Sequence, residues 1–298
     1  MVHKKIVIIA GEDSGDLHGA QLIKALKQSN ETYEFYGIGG EKMIKQGLTP
    51  IEHIKNLNVI GLVEVLKHYP RIKMIFNKTL AFIKKIQPEK VILIDYPGFN
   101  LRLAKKISNM GIEISYFILP QVWAWRSSRA KTLKQNTNKR ISIIPLEKDW
   151  FKKRDIEISY VGNPLIALQN IRADKNLLYE KYSISSNDKV VALMPGSRKS
   201  EIQKHWPIFL QTLDLLQKKS SHNIVPVLLE APNVAIDDIP DNVITTKENH
   251  YEILSVADAA IVSSGTATLE TAILGCPMVV CYKLSSVTWF LAQNMSSV

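Results

Sequence analysis

Short, unbroken apolar runs punctuate the 298 residues of this chain, and most of them stop at a glycine-, serine- or acid-containing loop that opens a helix-forming stretch. A strand covered on both faces reads as such a run, and its regular alternation with helical sequence predicts a mostly parallel α/β sheet. The first run, Lys5–Ala10, ends at Gly11-Glu12-Asp13-Ser14-Gly15-Asp16 and leads into a helix expected over about Leu17–Gln28. Further strands are expected at Glu34–Ile38, Lys90–Ile94, Glu113–Ile118, Arg140–Ile144 and Ile158–Val161. Gly162-Asn163-Pro164 then breaks the pattern. A domain boundary is placed there, giving residues 1–163 and 164–298.

The second half repeats the plan. Strands are expected at Lys189–Leu193, Asn223–Leu228, Ala259–Val262 and Met278–Cys281, with helices at Ile202–Lys218 and Thr266–Leu274. Ser285–Val298 reads as the start of further helical structure without a closing strand, so the second domain is expected to be incomplete at its C-terminal end.

Charge sharpens this division. The net charge of +10 splits into +12 for residues 1–162 (27 Lys and Arg, 15 Asp and Glu) and −2 for residues 163–298 (11 against 13). A basic first half suits nucleic acid, an anionic membrane, a phosphorylated substrate or a merely solvated surface. No run approaches the ~20 apolar residues that cross a bilayer, and Ile6–Ala10 is too short for a signal-peptide core. Any membrane contact is therefore expected to be peripheral and the chain cytoplasmic. Cys276 and Cys281 lack zinc-like spacing and fit packing roles.

Two loops of the second half have the form of anion sites. Val190–Met194 ends at Pro195-Gly196-Ser197-Arg198, and Ala259–Val262 ends at Ser263-Ser264-Gly265-Thr266-Ala267, each directly before a helix whose first N–H groups have no partner within the helix. Two such loops suggest a nucleotide diphosphate. Arg198 is either its counter-charge or a salt-bridge partner of Glu201. Glu270, one turn beyond Thr266, either reaches ribose hydroxyls or is an exposed helical glutamate.

In the first half Asp95 follows the apolar Val91–Ile94, a place that fits a general base or a turn aspartate. Glu12, Asp13 and Asp16 form a second acidic cluster. Gly37-Ile38-Gly39-Gly40 lacks the third glycine of a dinucleotide fingerprint and reads as a turn after a strand. Trp123 and Trp125, two of five tryptophans, stand beside Arg126, Arg129, Lys131 and Lys134, suiting a wet apolar boundary, base stacking or plain core packing. After Pro70, the apolar positions Ile72, Ile75, Phe76, Thr79, Ile83 and Ile86 follow helical spacing among lysines, fitting a helix on a sheet or on an anionic membrane. No DxD triplet or His-rich spacing points to a metal, and no cofactor is expected.

Taken in order, AGEDSGDLHGA (Ala10–Ala20), NVIGLVEVL (Asn58–Leu66), IDYPGFN (Ile94–Asn100), PQVWAWR (Pro120–Arg126), MPGSR (Met194–Arg198) and SSGTATLE (Ser263–Glu270) resemble the lipid-A-disaccharide synthase family. The resemblance implies two Rossmann-like domains of the GT-B glycosyltransferase type, the second cut short at Val298. It implies joining of UDP-2,3-diacylglucosamine to 2,3-diacylglucosamine 1-phosphate with inversion, giving a β-1,6-linked disaccharide phosphate and UDP. It also implies Asp95 as base and Arg198 facing the diphosphate, with Gly196, Ser197, Ser264, Gly265, Thr266, Ala267 and Glu270 around UDP. Glu12, Ser14, Gly15, Asp16, Trp123 and Arg126 would then line the acceptor or sugar side. Where the family often carries a second aspartate this chain has Gly98. The partners implied are the two acylated sugars, the inner-membrane surface and, for a longer chain, a second copy, with no nucleic acid. Another UDP-sugar enzyme of this fold, such as a peptidoglycan-type transferase or a UDP-N-acetylglucosamine 2-epimerase, and a non-catalytic nucleotide- or membrane-binding module remain alternatives.

Overall fold

The computed structural model describes residues 4–29, 31–57, 62–124, 127–231 and 234–284, with the backbone alone at 62–67. Residues 58–61 of the NVIGLVEVL motif, Trp125, Arg126 and the helical stretch expected at Ser285–Val298 lie outside the described residues. The described chain divides between Pro164 and Leu165 into two compact units, each built on its own parallel sheet.

The first unit runs β1 (Lys4–Ile9), α1 (Asp13–Leu26), β2 (Tyr33–Gly39), α2 (Glu41–Lys45), β3 (Leu48–His53), α3 (Leu62–Ile86), β4 (Lys90–Ile94), α4 (Pro97–Ile107), β5 (Glu113–Phe117), α5 (Arg129–Asn136), β6 (Lys139–Ser142), α6 (Pro145–Lys152) and β7 (Ser159–Tyr160). Its sheet has the order β3-β2-β1-β4-β5-β6-β7, all parallel. The chain thus builds outward from β1 to β3, returns through α3, and sets β4 on the other side of β1. Strand order reverses between β1 and β4.

Both faces of this sheet are covered. Val7, Ile9, Val91, Leu93, Ile114 and Tyr116 enter one core, and Ile6, Ile8, Ala10, Ile92 and Ile94 enter the other. This two-sided burial is why the strands read as unbroken apolar runs. Helix α3 closes the first of these cores with Ile75, Ile83 and the buried Thr79, while Ile72, Phe76 and Ile86 pack beside them. The apolar stripe expected on this helix is therefore spent on the sheet. The helix also begins before Pro70 rather than after it, with Pro70 inside it and exposed.

Two glycines correct the turn reading at Gly37–Gly40. Gly37 and Gly39 lie inside β2, and Gly37 adopts φ 152 where a Cβ would come within 1.8 Å of the Ile8 carbonyl oxygen. Glycine is needed for strand contact, with a register shift against β3 at Gly37/Ile38.

The second unit contains α7 (Lys175–Lys181), β8 (Lys189–Met194), α8 (Lys199–Lys219), β9 (Ile224–Leu229), β10 (Ile244–Thr246), α9 (His250–Val256), β11 (Ala259–Ser263), α10 (Thr266–Ile273) and β12 (Met278–Cys281). The sheet order is β10-β9-β8-β11-β12, again all parallel, with its reversal between β8 and β11. Val190 and Ala192 enter one core, Val191 and Leu193 the other. Cys276 is buried, Cys281 partly so, and both are free thiols. Among the described residues no helix is long and apolar enough to cross a membrane.

Gly37→Ala is expected to cost about 3 kcal/mol or more in urea unfolding, since backbone must move to admit the methyl group. Gly98→Ala, whose Cβ would meet nothing within 4 Å in α4, should be neutral or stabilising by up to ~1 kcal/mol.

Candidate active site

In the first unit β1 and β4 are paired, so the loops that follow them emerge side by side where strand order reverses. Open α/β sheets take their ligands in the crevice outside strand ends at such a point. Asp95 stands there with strained backbone. Asp95 and Tyr96 have φ 42 and 47, and Ile118, just past the neighbouring β5, has φ 61. Left-handed values in residues with side chains cost on the order of 1–3 kcal/mol each and persist only where the surroundings impose them.

The surroundings do so through buried hydrogen bonds. The Asp95 N–H donates to the Phe117 carbonyl at 3.1 Å, and the Asp95 carbonyl accepts from Tyr116 Oη at 2.6 Å and Asn100 Nδ2 at 2.8 Å. Tyr116 and Asn100 are both fully buried. The Tyr96 ring lies over Gly11, where a Cβ would come within 2.2 Å of it, and its hydroxyl donates to the Leu57 carbonyl at 2.9 Å.

Held in this turn, the Asp95 carboxyl keeps some solvent contact but is densely surrounded by protein. Burial, then the charges of Glu12 and Glu147, push its pKa up to about 7, against a lowering bond from the Tyr96 N–H. Glu12 occupies the extended residue just before α1. Ser14 is half-buried in the first turn of that helix, and Gly15 is buried against Ala10 and Ile94.

Asp16 departs from the expected loop role. It is buried, and its carboxylate accepts from the N–H groups of Gly40 at 2.7 Å, Lys42 at 3.1 Å and Met43 at 3.1 Å. It therefore ties α1 to the start of α2. Trp123 is half-buried, and its indole N–H donates to Glu147 Oε1 at 3.1 Å. Glu147, wholly buried in the first turn of α6, also accepts from the Ser142 hydroxyl, and burial lifts its carboxyl above the usual range. Nothing in Pro145-Leu146-Glu147 distinguishes it in sequence from an ordinary surface helix start.

In the second unit the two anion-type loops are brought together. β8 and β11 are paired neighbours at the reversal of strand order, so Gly196–Arg198 and Ser264–Gly265 emerge side by side. Gly196 has φ 138, a conformation that glycine adopts readily, and the space its missing Cβ would fill is taken by Glu201, 2.7 Å away. Glu201 is buried and braces the loop: Oε2 accepts from the Ser197 N–H at 3.1 Å, and Oε1 from Arg198 Nη1 at 2.7 Å and Tyr282 Oη at 3.2 Å. Arg198 thus makes the ion pair with Glu201 while a quarter of its side chain stays exposed (26%).

A second brace, His205, did not stand out in the sequence. It is buried on α8, its Nδ1 lies 2.7 Å from the Pro195 carbonyl, and its Nε2 accepts from the Lys283 N–H at 2.9 Å. These contacts require the neutral ring protonated on Nδ1. Ser264, Gly265 and Thr266 are exposed, Ala267 is half-buried, and no side chain of the residue before α10 caps the start of that helix. Glu270 accepts from Tyr251 Oη at 3.1 Å. Among the described residues no three His, Cys, Asp or Glu side chains are grouped to hold a metal ion.

The sequence matches the lipid-A-disaccharide synthetase family over residues 6–298. The chain belongs to that family. It is 35% identical to the lipid-A-disaccharide synthase of Trichlorobacter lovleyi over 302 residues, covering 99% of this chain and 79% of that protein. It is 33% identical to that of Coxiella burnetii strain RSA 331, with 99% and 79% covered. The family makes this chain a glycosyltransferase that forms the lipid A disaccharide.

Solved structures agree on the fold. UDP-GlcNAc 2-epimerase from Neisseria meningitidis, bound to UDP-GlcNAc, matches with a TM-score of 0.65 at 15% identity, covering 97% of this chain and 85% of that one. The calicheamicin glycosyltransferase CalG4 matches with a TM-score of 0.58 at 12% identity, covering 94% and 80%. The synthetase-family chain therefore has the two Rossmann-like units of the GT-B type.

The raised pKa of Asp95 has a stability consequence of definite sign. A carboxyl at about 7 in the fold against 3.8 in the open chain is neutral in both states at low pH. Its ionisation penalises the fold increasingly as pH rises from about 4 to 7, by at most on the order of 4 kcal/mol. Asp95→Asn is expected to raise the urea midpoint relative to wild type at pH 8 but not at pH 4. An equal effect at both would show that the carboxyl titrates normally.

Proposed function

We propose that this chain transfers a diacylglucosamine unit from UDP to the sugar hydroxyl of a diacylglucosamine 1-phosphate with inversion. Asp95 is the general base, and the loops after β8 and β11 hold the UDP diphosphate. The observation that carries this reading is the Asp95 carboxyl at the switch point of its sheet, with a pKa of about 7. A base works best when its pKa lies near the operating pH.

As the acceptor oxygen attacks the anomeric carbon, its proton passes to the Asp95 carboxylate and the bond to the UDP β-phosphate oxygen breaks. Arg198 and the backbone N–H groups at the starts of α8 and α10 meet the charge developing on the diphosphate. Glu270, oriented by Tyr251, is suited to the ribose hydroxyls. In this reading the first unit, residues 1–163, takes the acceptor through Glu12, Ser14, Gly15, Trp123 and Arg126. The second, 164–298, takes the nucleotide sugar. The basic first half suits a phosphorylated, acylated substrate at the cytoplasmic face of the inner membrane, with peripheral contact there and a homodimer as the assembly.

The test is incubation with UDP-diacylglucosamine and the acceptor phosphate, following UDP release and disaccharide formation. Acyl chains on the acceptor should be required, and activity should fall below about pH 7 as Asp95 takes up a proton. Asp95→Asn should lower kcat by about 10²- to 10⁴-fold with UDP binding retained. Arg198→Ala should cost about 10²- to 10³-fold. Unchanged turnover in Asp95→Asn would remove the base assignment.

A further inference from the structure

We propose that Glu147 is a positioning residue of the first unit's site: its buried carboxylate clamps Trp123 and thereby the loop that leaves β5 beside Asp95. The proposal rests on the reading of Asp95 as base only for its effect on turnover. The clamp itself is a matter of geometry.

Glu147 is 0% exposed, a costly place for an acid. Each of its oxygens has a defined partner: the Trp123 indole N–H at 3.1 Å on Oε1 and the Ser142 hydroxyl on Oε2. Ser142 is itself fixed, because its Oγ accepts the Ile144 N–H at 3.1 Å and so turns a lone pair to the backbone. Its proton has the carboxylate as the nearer acceptor and the Ile144 carbonyl, 3.1 Å away, as the farther one. The clamp thus joins the end of β6, the start of α6 and the loop after β5.

That loop is held at two points. At its root the Ile118 N–H donates to the Ile141 carbonyl at 3.0 Å, and Ile118 takes its left-handed turn. Leu119 and Val122 are then buried, and Trp123 is pinned to Glu147. The same β5 end supplies the Phe117 carbonyl and the Tyr116 hydroxyl that shape Asp95. Moving the loop therefore moves the framework of the base.

An indole N–H is satisfied by any neutral acceptor, so a glutamine would fill the mechanical role without burying a charge. The carboxylate adds its field, which acts on Asp95 together with that of Glu12. Among the described residues, Glu12 before α1 and Glu147 on α6 act on Asp95, Tyr116 on β5 feels it in turn together with the opposing charge of Arg129 on α5, and Tyr96 stands next to it in the chain.

Full-length wild type, Glu147→Gln, Glu147→Ala and Trp123→Phe, each labelled with 5-fluorotryptophan, separate these roles. The Trp123 fluorine signal is the one missing from Trp123→Phe. In Glu147→Gln that signal should stay in place, because the amide oxygen still accepts, while the acid limb of the pH–rate profile moves down by about half to one pH unit. In Glu147→Ala the signal should shift and kcat/KM fall by about ten- to a hundredfold. Should Glu147→Ala fail to fold, Trp123→Phe, which loses the N–H together with the pyrrole ring, carries the clamp test: its acid limb should stay in place while kcat/KM falls, and Glu147→Gln should leave kcat/KM near wild type. A Trp123 signal unmoved in Glu147→Ala, or full activity in Trp123→Phe, overturns the clamp. An acid limb unmoved in Glu147→Gln overturns the electrostatic part. If Asp95→Asn keeps its activity, the base reading fails alone, and the fluorine signal still judges Glu147.

Discussion

The left-handed turn at Asp95 and Tyr96 is the constraint around which the first unit's site is arranged. A parallel strand ordinarily passes to its helix through a loop of glycines and small polar residues, yet here two residues with full side chains take backbone angles that cost energy. Three hydrogen bonds on the Asp95 peptide groups hold them, and the Tyr96 ring covers Gly11 at the end of the neighbouring strand. The same turn places a carboxyl within reach of two others, Glu12 and Glu147.

Local and global electrostatics run opposite ways in both units. Residues 1–162 carry +12, yet their switch point gathers three carboxyl groups. Residues 163–298 carry −2, yet their switch point presents an arginine, a glycine-serine loop and two helix starts. Net charge bears on encounter and surface behaviour. The chemistry of a site depends instead on a few groups at strand ends, and at Asp95 burial carries the field of each neighbour further.

Much of the fold was legible because the central strands are buried on both faces. Lys90–Ile94 and Met278–Cys281 have the bounds expected of them, and the other expected strands differ only at their ends. Of the four edge strands in the two sheets, Ser159–Tyr160 and Met278–Cys281 were expected, but two were not legible: Leu48–His53 contains Pro50 and Glu52, and Ile244–Thr246 is three residues long, so neither shows an apolar run. Helix α3 runs through Pro70, where local sequence favours a break, and its packing through Ile75 and Ile83 on the sheet is a tertiary property. In sequence Gly37 reads as turn chemistry, since nothing local reveals that another strand's carbonyl passes against it.

The candidate site divides along the same line. Asp95, Arg198 and the loops Gly196–Arg198 and Ser264–Thr266 could be named from sequence, because each follows directly on an apolar strand and the position of a strand end is a local property. Asp16 was named with them, but the fold turns its carboxylate to the start of α2. Glu147, Tyr116, Asn100 and His205 could not be singled out. Each acts on a backbone or side-chain atom that the fold delivers, between 5 and 91 residues away for the first three and up to 78 for His205. By itself the sequence determined which residues stand at the strand ends. Only the tertiary structure decided which partners surround them, because burial and charge coupling depend on distances in space rather than along the chain.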